Sequence, residues 1–151
     1  IGGGVGHGAQ IIAAMTMGAA GVVIGTRFLV AEEIWAHKRY KQALIDATET
    51  DTTLCMQSIR NTFRALKNQT TDRVQQIEKE QSQVDIEDLL PYISGEIGRT
   101  AYKTGDTALG MLSAGQALAF VNKIEPIADI VASLEREANQ AIARSQRIRS
   151  L

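Results

Sequence analysis

The chain has 151 residues, of which 44% are hydrophobic, 22% charged and 5% aromatic, a composition long and apolar enough to bury a real core. Sixteen Lys and Arg against 17 Asp and Glu leave a formal net charge of −1, which excludes a general electrostatic affinity for nucleic acid or an anionic membrane surface. No apolar run is long enough for a membrane-spanning helix, and a single cysteine, Cys55, cannot close an internal disulfide, so a cytoplasmic location is expected. No signal-peptide pattern and no initiator Met precede the glycine cluster. The chain opens on Ile1 as if a strand had been cut at its last residue, so it reads as a piece of something longer.

Eight of the 13 glycines fall in the first 25 residues, and Arg27 is the only Asp, Glu, Lys or Arg before Glu32. A segment so poor in charge belongs inside a fold. Gly8 to Met17 sets Ile11, Ile12, Ala14 and Met15 near one helical face, and the stretch from Gly18 to Gly21 supplies the stop. Gly21-Val22-Val23-Ile24 then reads as a short, wholly buried strand of a parallel sheet. The order is strand end, loop, helix, turn, strand: one βα unit leading into the next strand.

Gly25-Thr26 turns into a short helix from Arg27 to Glu33, and a second helix is predicted from Ala36 to Ala47, with Tyr40, Leu44 and Ala47 on one stripe. Asp51 to Met56 is a candidate small strand. Thr71 to Gln83 reads as a mostly solvated helix anchored by Val74 and Ile77, with Val84 just beyond it. Asp85 to Leu90 is a helical stretch stopped by Pro91. Gly110 to Val121 is small and apolar enough for a buried helix. The last helix carries Pro126 in its first turn and Ile127, Ile130, Val131, Leu134, Ala138, Ala141 and Ile142 at helical spacing, with Arg144, Arg147 and Arg149 at its C-terminal end.

Backbone N–H groups approach a phosphate closely where Cβ atoms are absent, and a helix N-terminus aims a partial positive charge at the anion. Gly2-Gly3-Gly4-Val5-Gly6-His7-Gly8 lies between a strand end and a helix start, and Gly25-Thr26 is a second such turn after the next strand. Two neighbouring turns of this kind form the phosphate site found after strands seven and eight of a (β/α)₈ barrel. With no Lys nearby and only Arg27 in reach, the anion would be held mainly by backbone dipoles. The bland alternative is that the glycines merely permit tight turns and close packing. A further alternative is a dinucleotide fold, since Gly4 to Ala9 fits G-x-G-x-x-A and Arg27 stands where such a fold recognises NADP. The largely helical reading of residues 70–151 leaves no strands to complete its sheet.

Other chemistry-bearing residues read as structural. His37 begins a basic helix without a second ligand, Cys55 sits in an apolar run, and adjacent Glu32 and Glu33 face different directions. Glu78-Lys79-Glu80 is a charged face, Trp35 a candidate anchor, and Met15, Met17, Met56 and Met111 core filler. No metal ligand set is expected.

Gly3-Gly4-Val5, then Ala13-Ala14-Met15-Thr16-Met17-Gly18-Ala19, then Gly21-Val22-Val23-Ile24-Gly25-Thr26-Arg27-Phe28 resembles the C-terminal barrel segment of the FMN-dependent nitronate monooxygenases. The ending Gly-Thr-Arg-Phe is its most selective part. Ala31-Glu32-Glu33, Ala36-His37, Tyr40-Lys41, Asp51-Thr52, Arg64-Ala65-Leu66-Lys67-Asn68 and Ala114-Gly115-Gln116 follow in the family's order, so the likeness covers nearly the whole chain. Flavin-dependent enoyl-acyl-carrier-protein reductases look much alike, and Arg64 to Thr70 would suit them too. The chain departs from the pattern at His7 and Lys38.

The resemblance implies an α/β fold: the C-terminal βα units of a TIM barrel followed by a mostly helical cap. Residues 1–35 would be the last βα units, 36–69 a connecting helix and extension, and 70–151 the cap, with the rest of the barrel N-terminal to Ile1. Gly3 and Gly4, with Val23, Ile24, Gly25 and Thr26, would bind the FMN phosphate, and Gln116 would lie near the cofactor or the cap packing. The catalytic base would be a His upstream of this chain, not His7. The implied reaction is oxidation of nitronates with O₂, with a homodimer left open. An NADH-dependent enoyl reductase and a non-enzymatic helical interaction module stand as alternatives.

Overall fold

The computed structural model describes residues 1–148. Six helices occur among them: α1 (Gly8–Thr16), α2 (Lys38–Asp46), α3 (Gln69–Glu80), α4 (Ile86–Ile93), α5 (Gly95–Thr104) and α6 (Ile127–Ile148). Strands β1 (Thr52–Cys55) and β2 (Phe63–Leu66) pair antiparallel, with Leu54 opposite Arg64 and Cys55 opposite Phe63. Single 3₁₀ turns occupy Thr26–Phe28, Glu49–Asp51 and Gln116–Phe120. Arg149, expected at the basic end of α6, lies outside the described residues.

Three apolar clusters hold these elements together. Tyr40 and Leu44 of α2 meet Val30, Leu66, Ala101, Leu112, Leu118 and Val121 in the largest. Val74 and Ile77 of α3 close over Cys55, Met56, Val84 and Leu89 in a second. Ile130 and Leu134 of α6 form the third with Ala31, against which Ile11, Ile24 and Phe28 pack. α6 thus receives α1 on Ile130 and Leu134 of the expected stripe, against which Ile11 packs, whereas Val131 and Ile142 of that stripe are exposed. The first turn of α6 is fixed by Glu33, whose carboxylate accepts from the Ile127 N–H at 3.0 and 3.1 Å.

Several elements differ from the sequence expectations. Gly21 to Ile24 makes one parallel bridge, Gly2 to Val23, rather than a buried strand, and Val23 is 73% exposed. A strand is buried on both faces only when it has sheet neighbours and covering layers, and here the sole sheet neighbour among the described residues is Gly2. Met15 and Met17 are likewise exposed, so the core role assigned to them fails, whereas Met56 is buried and Met111 packs against the second cluster. The helix expected from Arg27 to Glu33 is reduced to the 3₁₀ turn Thr26–Phe28. α4 continues through Pro91, whose missing N–H forfeits a single bond and whose helix ends two residues later at Ile93.

Gly110 to Val121 buries Leu112, Ala114, Ala117, Leu118 and Val121 but exposes Ser113, Gln116 and Ala119, and in place of the expected α-helix it has only the 3₁₀ turn Gln116–Phe120. The Leu112 carbonyl accepts from the Leu66 N–H at 2.9 Å and Ser113 bridges Ala65, so the segment's polar backbone is satisfied along β2 instead. Gly110, at φ +82°, begins it in a left-handed conformation, and a Cβ there would stand 3.1 Å from the Gly98 Cα. Trp35 touches Tyr102 edge-on at 5.9 Å between ring centroids but remains mostly exposed rather than anchoring the core.

Candidate functional site

The Gly2–Val23 bridge, with the Val23 N–H donating to the Ile1 carbonyl at 2.8 Å, sets the two chain segments side by side and parallel. Gly3 and Gly4 leave this bridge at φ +87° and +71°, and a Cβ built on either would meet nothing within 4 Å. They are therefore glycines for conformation, and they face open space rather than protein. Gly25 also fronts open space, just before the Thr26–Phe28 turn. Among the described residues the backbone N–H groups of Gly4, Gly25 and Thr26 donate no hydrogen bond to protein. The Thr26 hydroxyl accepts from the Gly115 N–H at 2.8 Å, leaving its own proton to donate elsewhere. The side chains of Val23 and Ile24 do not share this arrangement: Val23 is exposed and Ile24 packs toward α6.

The rest of the glycine cluster is committed to packing. A Cβ on Gly6 would stand 2.7 Å from the Phe120 ring, and one on Gly8 would stand 2.7 Å from the Glu137 Cβ and closer still to the α6 backbone. Gly6 and Gly8 are thus small for close approach. The cluster divides into Gly3-Gly4, fronting open space, and Gly6 and Gly8, closed on α6 and the Gln116–Phe120 turn.

The N-terminus of α1, offered by the sequence as the dipole that would face the anion, is already occupied. The Gln10 side-chain oxygen accepts from the Gly6 and His7 N–H groups at 2.8 and 3.1 Å, and His7 Nδ1 accepts from the Ala9 N–H at 3.0 Å. A Glu137 carboxylate oxygen accepts from the Gly8 N–H at 2.8 Å, so the protein's own carboxylate holds the favourable position. Spacing could not reveal this, because Glu137 arrives from the far end of the chain.

Arg27 is not free to meet an anion either. It is 7% exposed, its Nη2 stands 3.7 Å from a Glu125 oxygen, and its buried Nε has no partner among the described residues. Glu125 also pairs with Lys123 at 2.7 Å. The sequence expectation that Arg27 lies within reach of the phosphate is corrected by this inward turn.

A cavity of about 430 Å³ lies between Gly3-Gly4 and β2, lined in addition by Phe63, Arg64, Gly115 and Gln116. Among the described residues Arg64 is the one charged side chain in that lining, and its Nη1 donates to the Thr52 hydroxyl at 2.9 Å. The sequence offered Arg64 only as part of a run of residues. Its signal as a site residue is spatial, since β2 brings it to the glycines from sixty positions away.

The remaining polar candidates are structural. His37 caps α2, accepting at Nδ1 from the Arg39 N–H at 3.1 Å, and Glu78 accepts from the Met56 and Ser58 N–H groups and the Ser58 hydroxyl. Lys41 is buried, donates to the Ala31 and Glu32 carbonyls, and is held below the usual lysine range chiefly by desolvation. No group of three or more potential metal ligands stands together among the described residues, and no described helix is long and apolar enough to cross a membrane.

Cys55 is buried, and burial, reinforced by Glu78 and Asp72, pushes its thiol up from 9.0 to about 11. The raised folded-state value favours the neutral thiol, so this contribution to stability is complete below about pH 9 and is lost as pH rises toward the folded value. At pH 8 Cys55 is expected to resist a disulfide reagent in the native protein and to react fully in denaturant. Rapid native labelling would contradict the burial.

Residues 1–137 match the nitronate monooxygenase family. A probable nitronate monooxygenase of Staphylococcus saprophyticus is 26% identical over 142 residues, covering 94% of this chain and 39% of that protein. One from Staphylococcus haemolyticus is 31% identical over 115 residues, covering 76% and 31% respectively. Among solved structures, FabK from Thermotoga maritima superposes at a TM-score of 0.87 and 24% identity over 97% of this chain and 46% of that one, a likeness of fold. Nitroalkane oxidase from Streptomyces ansochromogenes superposes at 0.72 and 28% identity over 95% and 40%. The chain spans about two fifths of the length of the first of these curated relatives. Since the family match runs from the glycine cluster through both turns, Arg64 and Gln116 into α6, the chain belongs to the nitronate monooxygenase family.

Proposed function

We propose that this chain forms the phosphate-binding end of an FMN-dependent enzyme that oxidises nitronates with O₂, as the C-terminal part of a TIM barrel and its helical cap. The observation that carries the reading is the juxtaposition of Gly3-Gly4 with Gly25-Thr26 across the Gly2–Val23 bridge. The N–H groups of Gly4, Gly25 and Thr26 are uncommitted, the Thr26 hydroxyl can donate, and no side chain of the described residues fills the space that Cβ atoms on Gly3, Gly4 and Gly25 would enter. Such a cradle fits a phosphate.

FMN, when bound, supplies the redox chemistry. This chain's residues contribute the anchor: Gly3, Gly4, Gly25 and Thr26 hold the phosphate, while Val23 and Ile24 position the second turn, Val23 through its bridge to Gly2 and Ile24 by packing toward α6. Exposed Val23, Met15 and Met17 offer an apolar margin for the rest of such a barrel, which also supplies the catalytic His.

The test uses the full-length protein. Oxygen uptake on addition of the nitronate of 3-nitropropionate, with a retained yellow chromophore, is the expected result. NADH oxidation dependent on a crotonyl thioester, without uptake driven by the nitronate, would replace the reading with an enoyl reductase. A colourless protein that binds no FMN would replace it with a non-enzymatic module.

A further inference from the structure

We infer that Arg64 is the cationic partner of the flavin's phosphate and the residue by which this site distinguishes a phosphorylated flavin from an unphosphorylated one. The inference rests on the FMN reading above. Both charges that the local sequence offers to an anion are committed elsewhere: Arg27 is buried against Glu125, and the α1 N-terminus is capped by Glu137. Backbone N–H groups alone would then face a group carrying nearly two negative charges. Arg64 supplies the missing charge, because it and Gly3-Gly4 line one cavity in which no other charged side chain of the described residues stands.

Its geometry suits the task. β2 is pinned on one side by β1, with Leu54 opposite Arg64, and on the other by the Ala65–Ser113 bridge. One guanidinium nitrogen, Nη1, is tied to the Thr52 hydroxyl, while Nε and Nη2 donate to no protein group among the described residues. The side chain is half-buried, so it is ordered yet accessible. A planar fork fixed at one nitrogen and open at the others matches the oxygens of a phosphate.

The experiment compares FMN with riboflavin, which lacks only the phosphate, by quenching of flavin fluorescence on binding to the full-length apoprotein. Arg64→Gln is expected to weaken FMN binding by about 10- to 100-fold, the loss of a charge-assisted hydrogen bond, while riboflavin stays within about twofold. Arg64→Lys keeps the charge without the fork and should fall between. Thr52→Val removes the tether alone and should retain most of the preference for FMN, which separates charge from local folding. An unchanged ratio of FMN to riboflavin affinity in Arg64→Gln, whether both affinities hold or both fall together, overturns the inference while leaving the FMN reading intact. A wild-type protein that binds neither flavin overturns both.

Discussion

Gly8→Ala is expected to destabilise the protein by about 3 kcal/mol, the upper end of what overpacking usually costs. The added methyl would be driven into the Leu134 carbonyl and the Ala138 N–H of α6, with the Glu137 Cβ 2.7 Å away. Backbone on a long helix cannot swing aside as a flexible side-chain tip can, so α1 and α6 must separate. Separation also removes the 2.8 Å bond from the Gly8 N–H to Glu137 and leaves that first-turn donor without its partner. A urea titration checks this: the midpoint should fall with little change in slope. Gly21→Ala, where a Cβ meets nothing within 4 Å, is the control and should stay within about 0.5 kcal/mol of wild type.

The second large effect is expected at Glu125, and it should be asymmetric. Arg27 and Glu125 have side chains only 8% and 7% exposed, so removing the carboxylate by Glu125→Ala strands a buried guanidinium and should cost about 3–5 kcal/mol. Arg27→Met should cost less than half as much. Glu125 would still have Lys123 at 2.7 Å, whereas Arg27 stands farther from it, at 3.7 Å, and the substitution also removes an Nε that has no partner among the described residues. The double variant Arg27→Met with Glu125→Met should lie nearer to wild type than Glu125→Ala does, because replacing a buried pair by apolar residues of similar volume is often neutral. A double-mutant cycle in urea, closed with the single variants Arg27→Met and Glu125→Met, measures the coupling. Equal costs for the two single variants would show that Lys123 does not compensate.

These two sites mark the difference between what neighbouring residues encode and what the fold assembles. α1, α3 and α6 were legible because each repeats apolar residues at the spacing of a helix face, and the order of strand end, loop, helix and turn was legible because glycines and β-branched residues sit at fixed offsets. β1 was legible from its short apolar run. β2 was not, since Phe63–Leu66 becomes a strand by pairing with β1 and Ser113, and α5 was hidden by two glycines within a polar stretch. Gly110–Val121 has a helix-like composition, but Leu112 and Ser113 pair along β2, and only Gln116–Phe120 winds into a 3₁₀ turn.

At the candidate site, the order of residues alone was enough to point to the family, to the paired glycine turns and to the backbone conformations that Gly3 and Gly4 permit. Packing settled the rest: which glycines are open and which are closed, that Glu137 rather than a ligand caps α1, that Arg27 turns inward, and that Arg64 faces the cavity. The two kinds of information differ in range. Periodicity and turn chemistry are written in residues a few positions apart, whereas the charges around an anion site come from segments whose proximity exists only once the chain has packed.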